Sequence, residues 1–570
     1  MKLSQPDISD RSRPDGNATR LVRAAREVLT RHGRGLTFAC AALAAVATWI
    51  ATRHGPGMSP DSVTYLSAAR NLASGHGYRD FTGQALTTFP PGFPALVAVF
   101  NVLGLSIATG ARIVNAVSFA AIVILAGALV RRHTSSPFVA VGTTLLVAVS
   151  PAMINVASNA WSEPLFCALV LAFILALEDA AAPARSVRSL ALAGVLVGLA
   201  VLVRYAGLSL LIVGSLTLVV STYRAGLRAV SHRLAVFLAA GLAIPALWIL
   251  RNATSGTRYL LGPRVPAPDS WFSFVGRFLD GVRGLFTSGG VVTAATLVGL
   301  VLGSGALVAY RARGWRPDRA GSRRSSVLPL VIYVVVYAAV VISAGKTAGA
   351  SVDQRIVAPI YVPALILGAV LLDVLIAQPA RVGGRRWVSV VPGLVGLLAV
   401  TYVASTAVSF ASVAWNNGTT ARGYTQQSSD RFQLVDSVEA LNRRALVATN
   451  RPWTLFEATG REPIVPSPGT VAPELALTPV LVSQLATQSC DRPVYLAWFQ
   501  YAAQWPFTPA QLSATLDLSP VQTLRDGTLY LVRPKEPDCP APLAAKRRAN
   551  LDFDAASMGA PRATGAPGRG

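Results

Sequence analysis

The sequence predicts a mainly α-helical, polytopic membrane protein: a transmembrane helix bundle of about eleven spans with a small extracytoplasmic α/β domain at the C-terminus. Three observations predict the bundle. The 570 residues are 52% hydrophobic and only 14% charged, too apolar for a soluble chain. Uncharged runs such as residues 327–344 are long enough to cross a bilayer. The formal charge of +24 falls mainly in short arginine clusters between apolar runs. That pattern reports membrane orientation, and no nucleic-acid partner is expected.

Residues 1–35 form a basic cytoplasmic segment, polar and disordered up to about residue 20. Spans are expected at 36–52, 111–130, 137–155, 164–178, 189–203, 205–222, 234–250, 288–310, 327–344, 356–377 and 387–413. With the N-terminus inside, the arginines of 11–34, 131–132, 185–188, 224–233, 311–324 and 381–386 all fall in inner loops. The expected location is the plasma (inner) membrane, multi-pass, with the C-terminal domain outside. The first apolar run has the basic flank of a secretory signal, yet it is expected to be retained, because it tethers the first outer loop at 53–92. Scarce lysine beside abundant Arg, Ala and Gly is the composition of a high-GC bacterial genome.

Two segments need a length argument. Residues 93–107 reach only about 22 Å as a helix against a core of about 30 Å, so they read as re-entrant or interfacial. Residues 189–222 would reach about 51 Å as one helix, so they read as two limbs meeting near 204–207, with Arg204 at the outer surface.

Past residue 413 the pattern becomes that of an α/β module over 414–540, followed by a disordered tail at 541–570. Residues 430–442 and 452–459 read as helices, and 444–450, 493–499 and 528–532 as strands. Cys490 and Cys539 are the only cysteines outside the spans, and an oxidising exterior would let them bridge. Cys40 and Cys167 are expected to be core residues.

The chemistry is expected on the outer face. Ser59-Pro60-Asp61 opens a helix at the mouth of the first outer loop, with Val63, Leu66, Ala69 and Leu72 on one face, so that helix should lie along the outer interface. Asp61 also has an ordinary role available, as a first-turn acid favouring the helix dipole. Glu163, in Ser162-Glu163-Pro164, is set the same way where the third expected span gives way to the fourth. Two carboxylates on one face suit a general base, a shared divalent metal, or both. No His or Cys spacing supports a zinc cage. Arg204, Arg251, Arg258, Arg264, Lys346 and Arg355 make that face unusually cationic, which points to an anionic partner such as a lipid phosphate. His76 and Tyr78 follow a Gly-rich turn and are candidates for an acceptor contact. There is no P-loop, nucleophile elbow or dinucleotide fingerprint. A transporter or a non-catalytic lipid-binding scaffold is the alternative from another class.

The Pro60-Asp61-x-x-x-Tyr65 loop, the turn Phe89-Pro90-Pro91-Gly92-Phe93-Pro94, Ser162-Glu163-Pro164 and the Arg355-to-Pro363 helix start together resemble the GT-C superfamily of membrane glycosyltransferases. Within it, they look most like the branch of protein O-mannosyltransferases and the lipid A aminoarabinose transferase. The resemblance covers roughly residues 36–413. It implies a polyprenyl-phosphate sugar as donor and a protein, lipid or cell-wall glycan as acceptor. It implies Asp61 as general base in an inverting displacement, and Glu163 as a second acid that binds metal or positions the acceptor. Arg204 and Arg355 would hold the lipid phosphate, with Tyr65, His76, Tyr78, Arg258, Arg264 and Tyr361 completing the substrate site. Ser62 stands where many members have a second adjacent acid, which leaves the metal open, and no lysine lies near Pro90. A loop at 345–355 is expected to close over the site.

Overall fold

The computed structural model describes residues 17–181, 187–255, 260–262, 264, 266–288, 290–299, 327–377, 387–420, 432–461, 463, 485–486, 488–490, 492–500 and 508–535. The helices of the membrane half are α1 (Asn17–Ala51), α2 (Pro60–Ala73), α3 (Gly92–Val102), α4 (Ile107–His133), α5 (Pro137–Ala148), α6 (Pro151–Ala157), α7 (Glu163–Ala181) and α8 (Val187–Val203). They continue with α9 (Ser209–Thr222), α10 (Leu227–Thr254), α11 (Trp271–Thr287), α12 (Val291–Gly299), α13 (Leu328–Ala348), α14 (Gln354–Ala377) and α15 (Trp387–Thr420).

Local sequence explains most boundaries. Ser59, Ser106, Ser136 and Ser150 each cap a helix N-terminus through a side-chain oxygen, and three of these caps are followed directly by proline. α4 ends in Arg131, Arg132 and His133, the charges that suit the negative end of a helix dipole. The same punctuation breaks an expected span. Residues 137–155 are not one helix, because the Ser150 cap and Pro151 restart the chain and bend α6 from α5 by 42°.

Eight helices among the described residues are long and apolar enough to cross a membrane, and ten crossings result if each of the bent pairs α5–α6 and α11–α12 counts as one. The chain is a multi-pass membrane protein. The expected eleven also counted α8, whose 17 residues span about 26 Å. α8 nonetheless packs tightly on α10: a Cβ at Gly194 would lie 2.5 Å from the Phe237 carbonyl oxygen, so only glycine permits that approach. The expected span at 288–310 begins at the end of α11 and takes in α12, which turns 98° from α11; residues 300–310 and the 311–324 arginines lie outside the described residues. α11 itself was not anticipated. It buries Phe274, Phe278, Gly281 and Leu285 at helical spacing and leaves Phe272 and Leu279 exposed.

One core runs through the bundle around Phe119, Phe166, Phe173 and Tyr337. A second lies under the first outer loop and joins Val63, Tyr65, Leu66, Phe81, Phe93 and Val97. α2 is therefore not the interfacial helix expected. Its residues 62–69 are buried in unbroken succession, since the bundle packs beneath it and the outer domain covers it.

The outer domain contains α16 (Gln433–Glu439), α17 (Pro452–Thr459) and α18 (Pro509–Leu512) with strands β1 (Leu446–Thr449), β2 (Val494–Phe499), β3 (Leu516–Thr523) and β4 (Gly527–Pro534). The sheet order is β1-β2-β4-β3, with β1 parallel to β2 and the other pairs antiparallel. β3 escaped the sequence reading, because Pro520 and a register shift interrupt its alternation. One sheet face packs Tyr495, Phe499 and Leu529 against α16 and α17, and the other packs Val494, Leu496 and Val532 against Leu512 and Leu516. Cys490 is disulfide-bonded, Cys539 lies outside the described residues, and Cys40 and Cys167 are free thiols.

Candidate active site

A two-residue parallel bridge sets the geometry of the site. Gly57 donates to the Ser158 carbonyl at 2.8 Å, Ala160 donates to the Gly57 carbonyl at 2.9 Å, and Gly57 pairs with Asn159. The Trp161 indole then donates to Ser59 Oγ at 2.8 Å. Both loops leave the bridge in the same direction and enter helices, α2 and α7. Asp61 lies four positions past Gly57, and Glu163 four positions past Asn159. The two first-turn acids consequently meet at the mouths of two neighbouring helices.

Two arginines bind them together. Arg355 Nη1 lies 2.7 Å from Asp61 Oδ2, while its Nε lies 3.3 Å from Glu163 Oε1. Arg204 Nη1 lies 2.6 Å from the same Glu163 oxygen and donates to Ser162 Oγ at 3.1 Å. The Arg355 guanidinium also stands 4.8 Å from the Trp161 ring centre. Exposure separates the two acids: the Glu163 side chain is 1% exposed and that of Asp61 28%. Glu163 Oε2 has no hydrogen-bond partner among the described residues.

Asp61 opens onto a cavity of about 600 Å³. Tyr65, Arg204, Tyr205, Arg264 and Arg355 give it a polar wall. A stripe of α13 also lines it, Tyr337, Val341, Ala344 and Ala348, which recur on one helix face. Thr88, Phe89, Pro90 and residues 349–351 complete the lining. Tyr65 is fixed by Phe89 and Phe93, at ring separations of 4.8 and 5.5 Å, and its hydroxyl lies 3.2 Å from Ser162 Oγ.

Residues 88–249 match the family model of dolichyl-phosphate-mannose-protein mannosyltransferase. The structure is similar to that of ArnT from Cupriavidus metallidurans bound to undecaprenyl phosphate, with a TM-score of 0.58 and 14% identity over 88% of this chain and 98% of that one. It is also similar to arabinofuranosyltransferase AftD from Mycobacteria, with a TM-score of 0.51 and 17% identity over 89% of this chain and 40% of that one. The chain has the GT-C fold. No curated protein sequence matches the chain.

Within this GT-C fold, Asp61, Tyr65, Glu163, Arg204, Arg264 and Arg355 come together, and the other expected site residues that are described, His76, Tyr78 and Tyr361, do not. His76 is exposed on the first outer loop, away from the cavity lining. Tyr78 is buried and donates to the carbonyls of Phe89 and Pro90, so it shapes the loop that walls the cavity. Tyr361 is buried within α14 against Phe286. Arg258 lies outside the described residues.

The outer cations also divide. Arg251 donates to the Leu86 and Tyr78 carbonyls, and Lys346 to those of Ala267 and Asp269. Both fasten loops. The loop expected at 345–355 reduces to 349–353 between α13 and α14. In the first outer loop, Asp80 accepts from the Thr82 amide and hydroxyl, and burial pushes its carboxyl above the usual range against those hydrogen bonds.

The expected metal ligands, Asp61 and Glu163, are two, fewer than a dedicated protein cage uses. Asp61 and Glu163 already face Arg355 and Arg204, and no group of three or more His, Cys, Asp or Glu side chains that could hold a metal occurs among the described residues.

Sequence reasoning missed Trp161, Ser162 and the α13 stripe. The stripe was visible as helical spacing, but its direction was not.

Proposed function

We propose that this GT-C chain is a membrane glycosyltransferase that moves a sugar from a polyprenyl-phosphate donor to an acceptor hydroxyl, with inversion. The observation that carries the reading is the meeting of Asp61, Glu163 and three arginines at one cavity with an apolar wall. A phosphodiester brings one negative charge. Arg204, Arg264 and Arg355 against Asp61 and Glu163 leave one positive charge to receive it. The only acceptor that the Arg264 side chain has among the described hydrogen bonds is the Leu261 carbonyl, at 2.8 Å. It is the cation best placed to meet an incoming phosphate. The α13 stripe suits the prenyl chain.

In this reading Asp61 takes the proton of the acceptor hydroxyl, and the oxygen attacks the anomeric carbon opposite the phosphate. The carbon–oxygen bond to phosphate breaks, and the electron pair leaves with polyprenyl phosphate, whose growing charge the arginines stabilise. Glu163 holds Arg204 and Arg355 in place. It is too deeply buried to touch the acceptor. The undecaprenyl phosphate bound to ArnT supports the donor class. With α8 counted as an eleventh crossing, an odd number sets the two ends on opposite sides, and in this reading the N-terminus is cytoplasmic while the cavity and C-terminal domain face outward.

The test is a panel of polyprenyl-phosphate sugars with purified protein and a cell-envelope extract, read as free polyprenyl phosphate. Turnover is expected with at least one donor, and Asp61→Asn should lower it by about 10²–10⁴-fold while the protein stays folded. An Asp61→Asn variant as active as the native chain would remove Asp61 as the base.

A further inference from the structure

The helix α17 of the outer domain has its side chains in two hydrophobic cores at once. Leu455, fully buried, belongs to the core under the sheet with Leu434 and Phe499. Its neighbour Phe456, 8% exposed, belongs to the core of α2, α3 and the first outer loop, with Trp453 packed beside it. Adjacent residues on a helix point about 100° apart, which lets one short helix serve both.

The contacts with the first outer loop are aromatic. Phe81 lies 5.5 Å from Phe456 and 6.5 Å from Trp453, ring centre to ring centre, and the Arg70 guanidinium of α2 stands 5.8 Å from the Phe456 ring. Both ends of α17 are fixed to the outer domain. Asn450 exchanges hydrogen bonds of 2.8 Å with the backbone of Phe499 just before it. Just after it, the Arg461 guanidinium donates to the Leu441 and Asn442 carbonyls beyond α16. α2 carries Asp61 in its first turn and presents Tyr65 to the cavity, so whatever holds α2 holds the acid.

We propose that Trp453 and Phe456 are positioning residues: through them the docked outer domain keeps α2, and with it Asp61, in register for catalysis. The inference rests on the glycosyltransferase reading above. A catalytic group misplaced by about 1 Å loses on the order of 10²-fold in rate, so loss of this contact should appear in kcat.

The experiment uses the full chain in nanodiscs and compares the native protein with Trp453→Ala/Phe456→Ala and with Phe456→Leu. Hydrogen exchange of the α2 amides is measured beside turnover and undecaprenyl phosphate binding. In the double variant, α2 exchange should quicken at least about ten-fold, and kcat should fall about 10–100-fold while the dissociation constant stays within about three-fold. Phe456→Leu should restore kcat to within about three-fold of native. Unchanged α2 exchange overturns the proposal. So does faster exchange with unchanged turnover, or donor binding lost in parallel with kcat. A native protein that turns over no donor would overturn the glycosyltransferase reading instead, and α2 exchange would still decide whether the outer domain holds that helix.

Discussion

At the scale of single residues, Glu163 shows how far burial can change a side chain's part. Its neighbours Ser162 and Pro164 mark a first-turn acid like Asp61, and the sequence gives the two equal standing. The structure makes them unequal, because Glu163 lies beneath both arginines and Asp61 faces the cavity. Removing one partner of a buried ion pair strands the other charge, so Glu163→Ala should cost about 3 kcal/mol of stability. Glu163→Gln, which keeps an oxygen for Arg204, should cost less. Thermal unfolding in nanodiscs measures both. A loss under about 1 kcal/mol for the alanine variant would show that the arginines find other partners.

At the scale of elements, the site depends on loops held by backbone contacts that no local motif announces. Gly262 is one such point. It has a φ of +76°, and a Cβ there would lie 2.6 Å from Thr88 Cα, so both its conformation and its space exclude a side chain. Thr88 walls the cavity, and Arg264 follows two positions later. Gly262→Ala is expected to destabilise by about 1–3 kcal/mol and to raise the donor KM several-fold, about 3–10-fold, by displacing both. A titration of initial rate against donor would show it. An unchanged KM with an unchanged thermal midpoint would mean that the turn absorbs the methyl group.

At the scale of the whole molecule, charge and length predict an orientation. α1 has 35 residues, about 52 Å of helix, so its basic first half, with Arg20, Arg23, Arg26, Arg31 and Arg34, extends beyond the bilayer. The positive-inside rule predicts that half in the cytoplasm, and eleven crossings, with α8 as one, would set the outer domain on the opposite side. Cysteines introduced at two exposed positions test it. In intact cells, Ala514→Cys should react with a membrane-impermeant maleimide, and Arg20→Cys should react only after permeabilisation. The reverse pattern would turn the whole assignment over and set the cavity facing the cytoplasm.

What the sequence determined by itself was whatever local chemistry decides. Apolar run length gave the membrane bundle, and the Ser59–Pro60 cap gave the start of α2, whereas the same pairing at Ser150–Pro151, which starts α6, lay inside an expected span. Periodicity gave β1, β2, β4, α16 and α17 close to their observed limits. The same local signals marked Asp61, Glu163, Arg204, Arg264 and Arg355 as candidates, since charged residues at helix mouths beside apolar runs stand out. They also promoted His76, Tyr78 and Tyr361, because a loop tip, a loop strut and a packed core ring can share one sequence signature. Only the tertiary structure decided which of these face a common space. The bridge between Gly57 and Asn159 sets Asp61 beside Glu163, and packing aims one face of α13 at the cavity. Docking of α17 encloses α2. Each depends on contacts between segments far apart in the chain, whose partners are fixed by close packing and hydrogen-bond geometry, and neither quantity has a local period to read.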